Sequence, residues 1–200
     1  MKAQNKQLIG IFAVLALLMA ITRGSHFGSS FALPDASLAV FLLAGFFMPR
    51  FSLIAMLTLL AFLFEAGAVD YYAINAAGVD DYCVTPAYLF LIPTYATMWV
   101  GGSWFAKSQK NTLSSLALFG GMACVTSTFA FLISNFGFFL FAGRFSEMSM
   151  YEYASRVAQY YPPYLSGSLL YLALAAVAFV LLNRQQQSSA DAVQHQISRT

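Results

Sequence analysis

Residues 51–70 read Phe51-Ser52-Leu53-Ile54-Ala55-Met56-Leu57-Thr58-Leu59-Leu60-Ala61-Phe62-Leu63-Phe64-Glu65-Ala66-Gly67-Ala68-Val69-Asp70. A single acid, Glu65, interrupts an otherwise uncharged and mostly apolar run before Asp70 closes it. About 20 such residues, rising 1.5 Å each in a helix, match the roughly 30 Å hydrocarbon core of a bilayer. Further apolar runs fall at about 7–22, 36–49, 86–105, 112–141 and 164–182, the first of these five followed by a short one and 112–141 the longest. Six transmembrane helices are expected, with Pro49-Arg50 leaving almost no loop between the second and third.

Composition agrees. Of 200 residues, 60% are hydrophobic and only 9% charged, against roughly 25% charged in a soluble domain. A soluble globular fold is excluded, and an all-α membrane protein is expected. Residues 1–182 form one six-helix transmembrane domain. The tail 183–200, with Gln185-Gln186-Gln187-Ser188-Ser189, is polar and aperiodic and is expected to be a disordered cytoplasmic extension. A net charge of +2, scattered along the chain, offers no surface for nucleic acid. Lys2 and Lys6 before Leu8–Thr22 imitate a secretory signal, but Ala20-Ile21-Thr22 followed by Arg23 is a poor cleavage site, so this segment reads as a retained helix. No GxxxxGK[ST] occurs, so no nucleotide site is expected. Ser166-Gly167-Ser168, Gly101-Gly102 and Gly120-Gly121 supply small residues for close helix contacts.

The connections carry an orientation signal, because cytoplasmic loops are enriched in Lys and Arg. With the N-terminus inside, Lys2, Lys6, Arg50, Lys107, Lys110, Arg184 and Arg199 lie inside, and Arg23, Arg144 and Arg156 outside. Both termini are therefore expected to be cytoplasmic. Asp35, Asp70, Asp80, Asp81, Glu147 and Glu152 fall outside, with Glu65 near that end of the third helix and only Asp191 inside. The outer connections, about 22–36, 71–85 and 142–163, are also the longest. Within the last, Met148, Tyr151, Ser155 and Ala158 share one helical face, which predicts a short amphipathic helix over Glu147–Tyr160 lying on the bundle.

The segment from Asp70 to Tyr88 holds the most chemistry: Asp70-Tyr71-Tyr72-Ala73-Ile74-Asn75-Ala76-Ala77-Gly78-Val79-Asp80-Asp81-Tyr82-Cys83-Val84-Thr85-Pro86-Ala87-Tyr88. Thr85-Pro86 is a helix-start signature, with Thr85 as side-chain cap. Helix four then begins just after Cys83, near the positive end of its dipole, which favours thiolate, while Asp80 and Asp81 oppose it. Asp70 closes the preceding helix and Tyr88 sits in the first turn of the next, so both face the space above Cys83. Cys83 also reads as a small gap-filling loop residue, and Tyr72, Tyr82 and Tyr88 as an aromatic belt. Cys124 lies mid-span. The two cysteines are far apart and outside any CxxC or Cys/His cluster, so neither a disulfide framework nor a zinc site is expected. His26 and Arg23, after helix one, and Asn135, late in helix five, are further candidates for contacts to a ligand. Glu65, about five residues or roughly 7.5 Å below Asp70 along the helix, marks a polar contact in the bundle interior.

Six helices with both ends inside and an outer loop system over a binding cavity resemble the S-components of energy-coupling-factor vitamin transporters. Thr22-Arg23-Gly24-Ser25-His26-Phe27, Leu33-Pro34-Asp35-Ala36-Ser37-Leu38-Ala39-Val40-Phe41-Leu42-Leu43-Ala44-Gly45 and Tyr82-Cys83-Val84-Thr85-Pro86-Ala87-Tyr88 look like the solitary cobalamin-transporting S-components of Gram-negative bacteria, the BtuM type. The likeness covers roughly residues 8–182. It implies an inner-membrane transporter that takes cobalamin or a related corrinoid from the periplasmic side. It also implies Cys83 as the axial ligand of cobalt, Asp70 and Tyr88 lining the site, and reductive removal of an upper ligand such as cyanide at Cys83. A shared energising module is possible under the resemblance and not required. Thiolate is a soft donor suited to such a metal, and Tyr71, Tyr72, Tyr82 and Tyr88 offer faces to a broad macrocycle. Two other classes stay open: an S-component-like transporter of another small vitamin or precursor, and an intramembrane thiol oxidoreductase.

Overall fold

Two helices, α2 (Ser37–Phe47) and α4 (Leu91–Ser108), meet backbone to backbone at the centre of the structure. A Cβ on Gly45 would overlap the Trp99 carbonyl oxygen, and one on Gly102 would overlap the Leu42 carbonyl oxygen, so this crossing needs both glycines. Ser103 Oγ donates to Gly45 O at 3.1 Å across it. Every residue of α2 from Ser37 to Gly45 is buried. Phe41 stacks on Tyr95 with centroids 4.3 Å apart and meets the edge of Phe62 at 5.9 Å, which joins α2 to both neighbours.

The structure, a computed structural model, describes residues 2–25, 33–48, 52–77, 85–108 and 113–197. Around the central pair lie α1 (Lys2–Ser25), α3 (Leu53–Ala77), α5 (Leu113–Phe141) and α7 (Tyr161–Ile197). A short helix, α6 (Met150–Val157), links the last two, and a 3₁₀ turn, Pro86–Phe90, leads into α4. No strand occurs among the described residues. All six apolar runs are thus helical. Four stretches, Lys6–Arg23, Leu53–Ala76, Ser114–Phe141 and Met150–Leu181, are long and apolar enough to cross a membrane. By contrast α2, with 11 residues, rises only about 16 Å. The protein is accordingly a multi-pass helical chain suited to a lipid bilayer. Ile9, Phe64, Phe129 and Leu174, all more than half exposed, point outward, a distribution that water would penalise and hydrocarbon does not.

Several expectations shift. The third helix does not end at Asp70 but continues to Ala77, because neither Gly nor Pro intervenes before Gly78. Past Asn183, where the polar tail begins, α7 continues to Ile197, and after Gly167 the chain carries no Gly or Pro to stop it. Gly120 and Gly121 meet no neighbour within 4 Å, so of the three small-residue stretches only Gly101-Gly102 and Ser166-Gly167-Ser168 make close contacts. Gly143, at φ +70, ends α5 in the left-handed conformation that favours glycine and turns the chain toward α6. The Pro49-Arg50 connection lies outside the described residues.

The amphipathic helix expected within Glu147–Tyr160 is α6, capped by Ser149, whose side chain accepts from Glu152 N at 3.2 Å. Its inward residue is Tyr153, packed on Phe139 and Phe145. The predicted face was the wrong one, since Tyr151 is 84% exposed. The aromatic cluster supplied by α5 and the turn after it selects Tyr153 over Tyr151.

Candidate functional site

One end of the bundle gathers the C-terminal part of α1 and α3 and the N-terminal part of α2 and α4. Arg23, in the last turn of α1, stands where a cation complements the helix dipole. It is nevertheless only 7% exposed. Its guanidinium meets Asp70 of α3 in a two-bond fork, Nε to Oδ1 at 2.6 Å and Nη2 to Oδ2 at 2.5 Å. That geometry is the strongest form of carboxylate recognition by arginine. Nη1 donates to Tyr95 OH at 2.5 Å, Ser37 Oγ at 3.1 Å and Asp35 Oδ2 at 3.3 Å, and Nη2 reaches Tyr88 OH at 3.4 Å.

Local sequence explains how the acceptors are held. Asp35 precedes α2, and its Oδ1 accepts from Ser37 N at 2.9 Å and Ser37 Oγ at 2.6 Å, doing the work of a cap from one residue further out. Thr22 Oγ1 accepts from Ala36 N at 3.1 Å while donating to Leu18 O at 2.8 Å. Two early N–H groups of α2 are thus satisfied by side chains, one of them from α1. Tyr171 OH donates to Pro34 O at 2.8 Å, which pins the approach to α2 from α7. Thr85 has extended backbone and Pro86 opens the 3₁₀ turn as expected, but the Thr85 side chain forms no cap; its carbonyl accepts from Tyr88 N at 2.8 Å instead. The tighter 3₁₀ ladder has taken the place of the predicted cap.

Arg23 is therefore a tie between four elements. Its five N–H groups face six acceptors, from Asp70, Asp35, Ser37, Tyr95 and Tyr88, leaving no donor for a ligand. Asp70, 4% exposed, is likewise turned into the bundle. A single cation is shared by two carboxylates, and of these Asp35 is the more accessible, with 36% of its side chain exposed.

Of the residues singled out from sequence, the structure brings together Arg23, Asp70 and Tyr88. Tyr72 is 73% exposed and stands apart from the cluster. Asn135 belongs to another contact: its Nδ2 donates to Phe131 O at 2.9 Å and its Oδ1 accepts from Tyr153 OH at 3.4 Å, joining α5 to α6. His26, Tyr82 and Cys83 lie outside the described residues. Cys124 is a free, partly buried thiol within α5. Among the described residues no group of three or more His, Cys, Asp or Glu could hold a metal ion. Tyr95 was not singled out in the sequence; Ser37 entered only within the Leu33–Gly45 stretch of the resemblance, and Asp35 there and as an outer acid, neither as a partner of Arg23. A signal did exist, since Arg23, Asp35 and Asp70 sit at matching ends of three consecutive apolar runs.

No protein-family model and no curated protein matches this chain.

Proposed function

We propose that the protein is an inner-membrane transporter of the S-component type that binds cobalamin or a related corrinoid from the periplasmic side, with six spanning helices and both termini cytoplasmic. Cys83 would be the ligand to cobalt, and loss of an upper axial ligand there would draw its electrons from an external thiol reductant. The observation that supports this reading best is the Arg23 cluster. It fastens the ends of α1, α2, α3 and α4 into one rim, and Cys83 belongs to the segment that joins α3 to the Tyr88 turn of that rim. A large planar ligand gains affinity from a rim that need not be ordered on binding.

The charge distribution supports the orientation. Arg23 is neutralised inside the protein, so it drops out of the outer basic residues, which leaves Arg144 and Arg156 there against seven inside. Arg156 is itself paired with Glu152 at 2.9 Å. In this reading Asp70 and Arg23 shape the site without touching the corrinoid, and Tyr88 is the member of the cluster nearest in sequence to Cys83 that can do so. Reconstitution into proteoliposomes tests the proposal. Labelled cobalamin should enter vesicles holding the wild-type protein faster than empty vesicles, and equal rates would overturn it.

A further inference from the structure

Tyr153 and its ring contacts account for one face of α6 and leave the others unexplained. At about 100° per residue, Met150, Ala154 and Tyr151 fill one sector of the helix beside Tyr153, and Ser155, Glu152 and Arg156 fill the next. Both sectors are exposed, Tyr151 by 84% and Met150 by 52%. The second is polar throughout, with Arg156 paired to Glu152 at 2.9 Å. One short helix thus has three faces: aromatic toward the bundle, apolar on one flank and polar on the other. A helix between protein and water alone needs two.

The level of α6 in the fold is set by α5. Tyr153 OH donates to Asn135 Oδ1 at 3.4 Å, and its ring lies 5.0 Å from that of Phe139, so α6 is folded back against the last two turns of α5. The apolar stretch that ends there, Ser114–Phe141, has 28 residues and rises about 42 Å, against a hydrocarbon core of roughly 30 Å. A span longer than the core brings its ends into the headgroup layer, and α6 with it. Exposed Phe136, Leu140 and Phe141 precede α6 and exposed Tyr160 follows it, so the lipid-facing surface of the spans continues up to its apolar flank. Aromatic side chains with a polar tip, such as Tyr151 and Tyr160, are favoured at that level.

We propose that α6 is an interfacial helix that docks on the phospholipid bilayer, its Met150–Ala154–Tyr151 flank set among the lipids at the boundary of headgroups and acyl chains and its Ser155–Glu152–Arg156 flank in water. An amphipathic helix lying in the membrane plane sinks its apolar side to about that depth and keeps its charges outside. Tyr153 fixes the rotation of α6 about its own axis, and that rotation decides which flank meets lipid. The inference uses the helical multi-pass fold and no residue of the Arg23 cluster, so it does not rest on corrinoid transport.

The test places spin labels on the full chain in phosphatidylcholine nanodiscs, in a Cys83→Ala/Cys124→Ala background, through Tyr151→Cys, Ala154→Cys, Ser155→Cys and Arg156→Cys in turn. Power saturation compares collisions with oxygen, which concentrates in lipid, and with a water-soluble nickel chelate. Leu174→Cys, on the exposed flank of α7, supplies the lipid reference. Oxygen should dominate at 151 and 154 and the nickel chelate at 155 and 156, so that the ratio of the two inverts around the helix. Nickel dominant at 151 and 154 would put that flank in water, and neither reagent reaching it would put it against protein; either result overturns the proposal. Oxygen dominant at all four positions would place α6 wholly inside the hydrocarbon and overturn it as well. Positions 151 and 154 report on the same flank, so a variant that fails to fold at one leaves the other to decide.

Discussion

Replacing Arg23 by alanine is the sharpest perturbation of the bundle. It removes the forked pair with Asp70 and leaves that carboxylate, 4% exposed, without its counter-charge. Breaking a buried ion pair from one side costs about 3–5 kcal/mol, because the stranded charge has been desolvated for nothing. Asp35 loses its cation too, but it keeps Ser37 as a donor and is partly solvated, so it adds little. Asp70→Ala should fall at the lower end of the range, near about 3 kcal/mol, since Arg23 retains Asp35, Ser37 and Tyr95 as acceptors. The double variant Arg23→Met/Asp70→Leu removes both charges and fills the space, and should be less destabilised than either single change. Reversible unfolding in detergent, followed by circular dichroism, gives all three values. Arg23→Ala within about 0.5 kcal/mol of wild type, or strict additivity in the double variant, would refute the assignment of Arg23 as a buried tie.

Three further outcomes follow from the packing. Gly45→Ala drives a methyl into the Trp99 carbonyl and should destabilise by at least about 2 kcal/mol, whereas Gly120→Ala, with nothing within 4 Å, should gain up to about 1 kcal/mol of helix propensity; unfolding measurements showing the two alike would contradict the α2–α4 contact. Tyr153→Ala should lose about 3 kcal/mol of aromatic burial and expose 143–160 to limited proteolysis, while Tyr153→Phe, giving up only a 3.4 Å bond to Asn135, should stay within about 1 kcal/mol of wild type. Thr22→Val removes the acceptor for Ala36 N and should cost about 1 kcal/mol in the same unfolding measurement, as for loss of a helix cap; a neutral Thr22→Val would contradict that role.

The helical membrane class was legible because it rests on bulk properties: long apolar runs and few charges survive any error in boundaries. Helix ends were harder. Asp70 read as a terminus because charges usually mark one, yet its charge is spent inward on Arg23, forty-seven residues away in the chain. Nothing local in Thr22-Arg23-Gly24 distinguishes an arginine at the membrane surface from one buried among five acceptor side chains. Tyr95 and Ser37 look like ordinary interior residues until the helices that carry them are placed beside α1. The face of α6 depended in the same way on a partner, since Tyr151 and Tyr153 are equivalent in composition and only Phe139 and Phe145 separate them. Glu65 stood out in the sequence as a lone acid in an apolar run, but its place on the flank of α3 beside Phe12 and Ala16 of α1 is visible only in three dimensions.

Absorbance titration of the purified protein with cobalamin tests the proposed function most directly. The wild type should bind the corrinoid with a spectrum shifted by thiolate coordination, and Cys83→Ala should lose that shift while keeping its helical content. A protein that stays colourless after cobalamin exposure, or a Cys83→Ala variant whose bound spectrum equals that of the wild type, would contradict a cobalt-ligating Cys83.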